Sequence, residues 1–76
     1  MITVGDIIGI LYYTVALDIQ DEDEETIASY YFNEEYGEGR FTSHSNISKS
    51  EILKRKVVEI GAYDVDDMWI VTGKWG

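Results

Sequence analysis

Five consecutive carboxylates, Asp21-Glu22-Asp23-Glu24-Glu25, constrain this chain more than any other feature. Such a block repels itself and holds its hydration, so it belongs at a surface turn and not in a core. Before it, Tyr13 to Gln20 sets Val15, Leu17 and Ile19 in alternation with Thr14, Ala16, Asp18 and Gln20. That alternation is the pattern of a half-buried strand. After it, Thr26 to Asn33 is β-branched and aromatic and reads as a second strand. The acidic block therefore predicts the turn of an antiparallel hairpin.

The flanks of this hairpin follow the same logic. Thr3 can cap a short helix, with Asp6 three residues on near the positive end of the helix dipole. Val4, Ile7, Ile8 and Leu11 then form one apolar stripe at helical spacing. Gly5 and Gly9 weaken that helix, and a strand beginning near Ile7 is the rival reading. Glu34-Glu35-Tyr36-Gly37-Glu38-Gly39 has turn chemistry, and Arg40 to Asn46 is polar, either a short extra strand over Arg40, Phe41 and Thr42 or a loop. Ser48-Lys49-Ser50-Glu51 has the spacing of a capping box and opens a second short helix. Ile52 and Leu53 supply its buried face, and Lys54, Arg55 and Lys56 fall in its last turn as dipole complements and solvated charge. Val57 to Val65 and Met68 to Trp75 read as two further strands around an Asp66-Asp67 turn, with Trp69, Trp75 and Tyr63 packing on the sheet.

The predicted architecture is a single α+β domain over residues 1–76 in the order α-β-β-α-β-β. Two short helices cover one face of a four-stranded, mostly antiparallel sheet. At 76 residues there is no room for a second core, while 45% hydrophobic residues suffice for one. The longest apolar run, Ile7 to Leu17, is about half of the roughly 20 residues a bilayer requires. No basic segment precedes it, so a cytoplasmic location is expected, and the Asn46-Ile47-Ser48 sequon reads as chance.

Several chemistries fail on residue type. Without Cys there is no disulfide, thiolate metal site or cysteine nucleophile. His44 is the only histidine and sits in a Ser/Thr/Asn-rich stretch without a nucleophile-elbow pattern, so no catalytic residue is assigned. Asp21, Asp23 and Glu25 have calcium-loop spacing, but Thr26 stands where that loop needs Gly and Phe32 where it needs Glu. Asp64, Asp66 and Asp67 could hold a hard cation weakly, but the charged-turn reading outweighs it. No metal and no cofactor are expected.

Charge is the positive signal. The chain carries 15 acidic against 6 basic residues, net −9, which opposes direct nucleic-acid and anionic-membrane binding. Nine of the acids lie between Asp18 and Glu38, with no Lys or Arg among them. Asp21, Glu22, Asp23, Glu24 and Glu25 at one end of the hairpin, and Glu34, Glu35 and Glu38 at the other, would imitate phosphates. Tyr30 and Tyr36 between them would act as anchors. The fitting partner is a protein with a basic nucleic-acid groove, reached by salt-sensitive electrostatic steering. Acidity also serves solubility alone. In the alternative reading the chain is a homodimeric adaptor that binds through sheet edges and aromatics, with the Lys54–Lys56 cluster meeting the acids of a second copy.

Three stretches carry a resemblance. They are Ile2-Thr3-Val4-Gly5-Asp6-Ile7-Ile8-Gly9-Ile10-Leu11, then Val15-Ala16-Leu17-Asp18-Ile19, and Ser50-Glu51-Ile52-Leu53-Lys54-Arg55-Lys56-Val57-Val58-Glu59-Ile60 followed by Asp66-Asp67-Met68-Trp69-Ile70-Val71. They resemble small acidic phage and mobile-element proteins in which two short helices each lead into a β-hairpin, a group that includes anti-CRISPR inhibitors. The resemblance implies a non-enzymatic inhibitor of a host defence nuclease, such as a Cas effector, acting in the host cytoplasm. It assigns no residue.

Overall fold

A computed structural model describes residues 1–73. Its elements are α1 (Val4–Ile10), β1 (Val15–Gln20), β2 (Thr26–Asn33), β3 (Glu38–Ser43), α2 (Lys49–Lys54), β4 (Lys56–Asp64) and β5 (Asp67–Gly73). The strands form one mixed sheet in the order β3-β2-β1-β5-β4. The α+β class and the two helices agree with the sequence pattern. The sheet does not: it has five strands where four were expected, and its central pair, β1 with β5, is parallel. The expected contribution of Trp75 lies outside the described residues.

Both corrections have physical causes. β3 forms because its backbone pairs with β2 along its whole length, from Asn33↔Glu38 to Ala28↔Ser43. As an edge strand it half-buries only Phe41, so its sequence carries no alternation to read. The parallel pair arises because α2 carries the chain across the sheet before β4 begins. A crossover of this kind is what parallel neighbours require. β5 then returns antiparallel to β4 and lies beside β1, with Leu17 opposite Met68 and Ile19 opposite Ile70.

The core is a single layer between this sheet and the helices. Val4 and Ile7 of α1 and Ile52 of α2 pack on Leu17, Ile19, Ile27, Ala28 and Ile70. Thr3 closes α1 with a reciprocal box: its Oγ1 accepts from Asp6 N–H at 3.2 Å, and Asp6 Oδ2 accepts from Thr3 N–H at 2.9 Å. At α2, Ser48 Oγ accepts from Glu51 N–H at 3.3 Å, which is the capping half of the pattern expected there. No helix of the described residues is long and apolar enough to cross a membrane.

The basic triplet after Leu53 is not uniformly solvated. Only Lys54 lies in α2, while Arg55 is the C-cap and is 8% exposed. Arg55 Nε donates to Thr72 Oγ1 at 2.9 Å, and Thr72 Oγ1 donates to the Gln20 carbonyl at 2.7 Å. This buried chain ties the end of α2 to β5 and β1. The Arg55 carbonyl accepts from Val4 N–H at 3.0 Å, so the same residue anchors α1. A buried cation left without partners is costly.

Two stability measurements follow. Thr72→Val removes both hydrogen bonds and leaves Arg55 Nε unpaired, so urea denaturation should show a loss of about 1–3 kcal/mol. The Thr3 N–H bond, helped by the Thr3 hydroxyl, holds the Asp6 carboxyl below the ordinary carboxylate pKa. A lowered folded pKa stabilises the fold above the unfolded value and ceases to do so as pH falls through the folded value. Asp6→Asn should therefore lower the urea midpoint at neutral pH, and the gap to the parent should close in acid, below about pH 4.

Candidate partner-binding surface

The parallel β1–β5 pair decides where the acidic turns lie. β1 starts where β2 ends, with Val15 opposite Phe32, and β5 starts at that same end, with Ala16 opposite Asp67. The β2–β3 turn and the β4–β5 turn therefore share one end of the sheet. About three strand spacings of roughly 4.8 Å separate them, or about 14 Å. Along this rim stand Glu34, Glu35, Glu38, Asp64, Asp66 and Asp67, all exposed. No Lys or Arg occurs in residues 33–39 or 63–67.

The rim is built on fixed backbone. Glu34 N–H donates to Thr14 Oγ1 at 3.1 Å, and Glu35 N–H donates to Asn33 Oδ1 at 2.9 Å. Gly37 N–H donates to the Asn33 carbonyl at 2.9 Å, with Gly37 at φ 65° where a side chain would be strained. On the other side, Ala16 N–H donates to the Asp66 carbonyl at 2.9 Å, and Val65 N–H donates to Asp64 Oδ1 at 2.7 Å. Tyr36 is 73% exposed, and Tyr12, in the α1–β1 connection, is 81% exposed. Tyr12 stands edge-on to Tyr13, with ring centroids 6.1 Å apart, and Tyr13 Oη lies 3.5 Å from Met68 Sδ. Exposed Tyr side chains are enriched at binding surfaces, whereas carboxylates are depleted there and suit a basic partner. A shallow depression of about 300 Å³ continues inward from the rim, lined by Tyr31, Asn33, Tyr36, Glu38, Gly39 and Arg40.

The residues singled out in the sequence divide into three groups. Glu34, Glu35, Tyr36 and Glu38 stand together on the rim. Asp21, Glu22, Asp23, Glu24 and Glu25 form the β1–β2 turn at the opposite end, about 25 Å away along eight residues of β2. Within that turn Asp21 has a structural task, since its Oδ1 accepts from Asp23 N–H at 2.8 Å and Glu25 N–H at 3.0 Å. The turn also holds Glu24 in the left-handed region at φ 63°. Lys56 opens β4 at this end, opposite Gly73, so the field here is mixed. Tyr30 is the third case. Its half-buried ring packs against the core and lies over Gly39, where an added Cβ would overlap it, so it stands on the helix-covered face and apart from the rim.

The sequence had offered Asp64, Asp66 and Asp67 as a charged turn or a weak cation site. Their carboxylates were legible; the neighbour that makes them half of a rim was not, because strand pairing across the crossover has no local signature. His44 also has a partner that chain proximity did not suggest: its Nε2 lies 2.9 Å from Ser29 Oγ. Asp18 stands opposite Ser29, but its two oxygens accept from Thr26 Oγ1 and Gln20 Nε2, each at 2.9 Å. The Ser29–His44 pair thus lacks the oriented carboxylate of a hydrolytic triad. Among the described residues no group of three or more His, Cys, Asp or Glu is placed to hold a metal ion. Comparison with protein-family models, curated proteins and solved structures found no match, so the rim is interpreted from its own geometry.

Proposed function

We propose that this protein is a non-catalytic inhibitor that presents its acidic rim to the basic nucleic-acid groove of a host defence nuclease. The observation that supports this reading is the segregation of six exposed carboxylates onto one end of the sheet, with no cation in either turn. Carboxylates pair bidentately with the Arg side chains that such grooves use for phosphate and base recognition. Anchored turns reduce the ordering cost of binding. Tyr36 and Tyr12 add rigid contact area beside the charge. The likeness to small acidic phage inhibitors points in the same direction. The β1–β2 acids give a second, weaker negative site, since Lys56 shares their end and Asp21 is engaged in its own loop.

The reading is tested by capture from host lysate on immobilised protein, with and without competing duplex DNA. The expected captured species is a nucleic-acid-binding protein that free DNA displaces. Raising salt from about 50 to 200 mM should also release it. Charge reversal of Glu34, Glu35 and Glu38 to Lys should weaken capture by about tenfold or more while the circular dichroism spectrum is retained. The same reversal at Glu22, Asp23 and Glu24 should weaken it less. Capture that survives both DNA competition and rim reversal overturns the proposal.

A further inference from the structure

β4 is an edge strand with a free side. Residues 2 and 3 cover its first turn of chain: Val57 N–H donates to the Ile2 carbonyl at 2.8 Å, and Thr3 bridges Lys56. From Val58 to Asp64 no strand among the described residues pairs with the outer edge. Natural edges are usually blunted by Pro, inward charge, bulges or a covering element. The pairing of β4 with β5 shifts register at Val57/Glu59 and again at Ala62/Asp64, and between these shifts Glu59 to Ala62 runs regular. The edge still exposes Val58 at 57% and Ile60 at 48%. The opposite edge, β3, presents Arg40, Thr42 and Ser43 and shows no such aliphatic exposure.

The geometry points to a two-fold homodimer in which the β4 edges of two copies pair antiparallel, centred on Gly61. A dyad normal to the sheet must relate residues whose side chains share a face, so the register sum is even. Centring on the free segment places Gly61 opposite itself and Ile60 opposite Ala62, both within the stretch between the two register shifts. No like charges oppose one another in this register. It also sets the partner's β4–β5 turn, with its Asp66, near the end of β4 where Ile2 and Thr3 flank Lys56.

Charge complementarity selects a second copy as the occupant. The antiparallel dyad sets the acidic β4–β5 turn of one protomer beside the end of the other that carries Lys54 and Lys56. The two uniformly negative turns are kept apart. Glu34, Glu35, Glu38 and Tyr36 lie on the far side of each sheet and stay free. The contact takes in Asp64 and Asp66, so in the dimer the part of the rim left open to a basic groove is the β2–β3 turn. Trp69 lies over Gly61, where an added Cβ would overlap its ring, so the dyad would bring the two Trp69 rings near each other.

Sedimentation equilibrium of the purified chain, from about 10 µM to 1 mM, tests the assembly. The expected mass is twice that of the monomer, and Ile60→Lys should return it to one. Lys56→Glu should weaken dimerisation by about tenfold, and the Lys56→Glu, Asp66→Lys double variant should restore it. The register has a separate readout, because the described chain has no cysteine of its own. An oxidised mixture of Ile60→Cys and Ala62→Cys proteins should cross-link, whereas Ile60→Cys alone should not, its two Cα atoms being more than about 7 Å apart. A monomer across the whole range, or a dimer unaffected by Ile60→Lys, or no cross-link in the mixture, overturns the inference.

Discussion

The parallel pairing of β1 with β5 is the constraint on which the rest of this structure depends. β1 and β5 come from opposite ends of the sequence, and only a crossover can bring them side by side. α2 supplies that crossover, and the buried chain from Arg55 through Thr72 to the Gln20 carbonyl fixes where it ends. A Lys at position 55 would offer a compact ammonium in place of a planar guanidinium, which suits a directed bond inside a packed layer less well. The N-terminal residues complete the junction, because Val4 hydrogen-bonds to the Arg55 carbonyl and Ile2 to Val57. Both helices are thus fastened at one point, beside the strand pair that holds the two hairpins together.

What the sequence could and could not disclose follows from the range of each interaction. Local signals were readable. Thr3 with Asp6 and Ser48 with Glu51 mark helix starts because a cap acts over three residues. Val15, Leu17 and Ile19 mark β1 because one face of that strand is fully buried. β3 was ambiguous because an edge strand with only Phe41 half-buried has no face to reveal. The partner of β5 was invisible because register between distant segments is set by packing across the crossover. The face on which Tyr30 lies was not legible for a related reason: Tyr30-Tyr31-Phe32 cannot all face one way, and alternation alone does not say which ring turns inward.

The two edges of the sheet are built by the same device and reach different ends. On β3, Gly39 leaves room for the ring of Tyr30 from β2; on β4, Gly61 leaves room for the ring of Trp69 from β5. A large ring laid over a strand glycine recovers the packing that a missing side chain forfeits. The pairs lie on opposite faces. Tyr30 shares the helix-covered face with Leu17, while Trp69 shares the open face with Asp18. The β3 edge is thereby drawn into the core and presents polar groups outward. Past Val57, which packs against the core, β4 is held from the open side, and Ile60 on its other face is 48% exposed.

That asymmetry bears on how a chain of net charge −9 can associate at all. Carboxylates dispersed evenly would repel any second copy from every direction. Here the charge is dispersed unevenly: one end of the sheet is wholly negative, and the other mixes the Asp21–Glu25 turn with Lys54 and Lys56. A molecule divided in this way has a preferred orientation in the field of its own twin, head beside tail, and an antiparallel edge contact is the arrangement that satisfies it. The same division exposes the negative end to any strongly basic surface. Opposite-charge capture at the rim and self-pairing at the β4 edge therefore have a common origin in the parallel strand pair that gathers two acidic turns on one side of the fold.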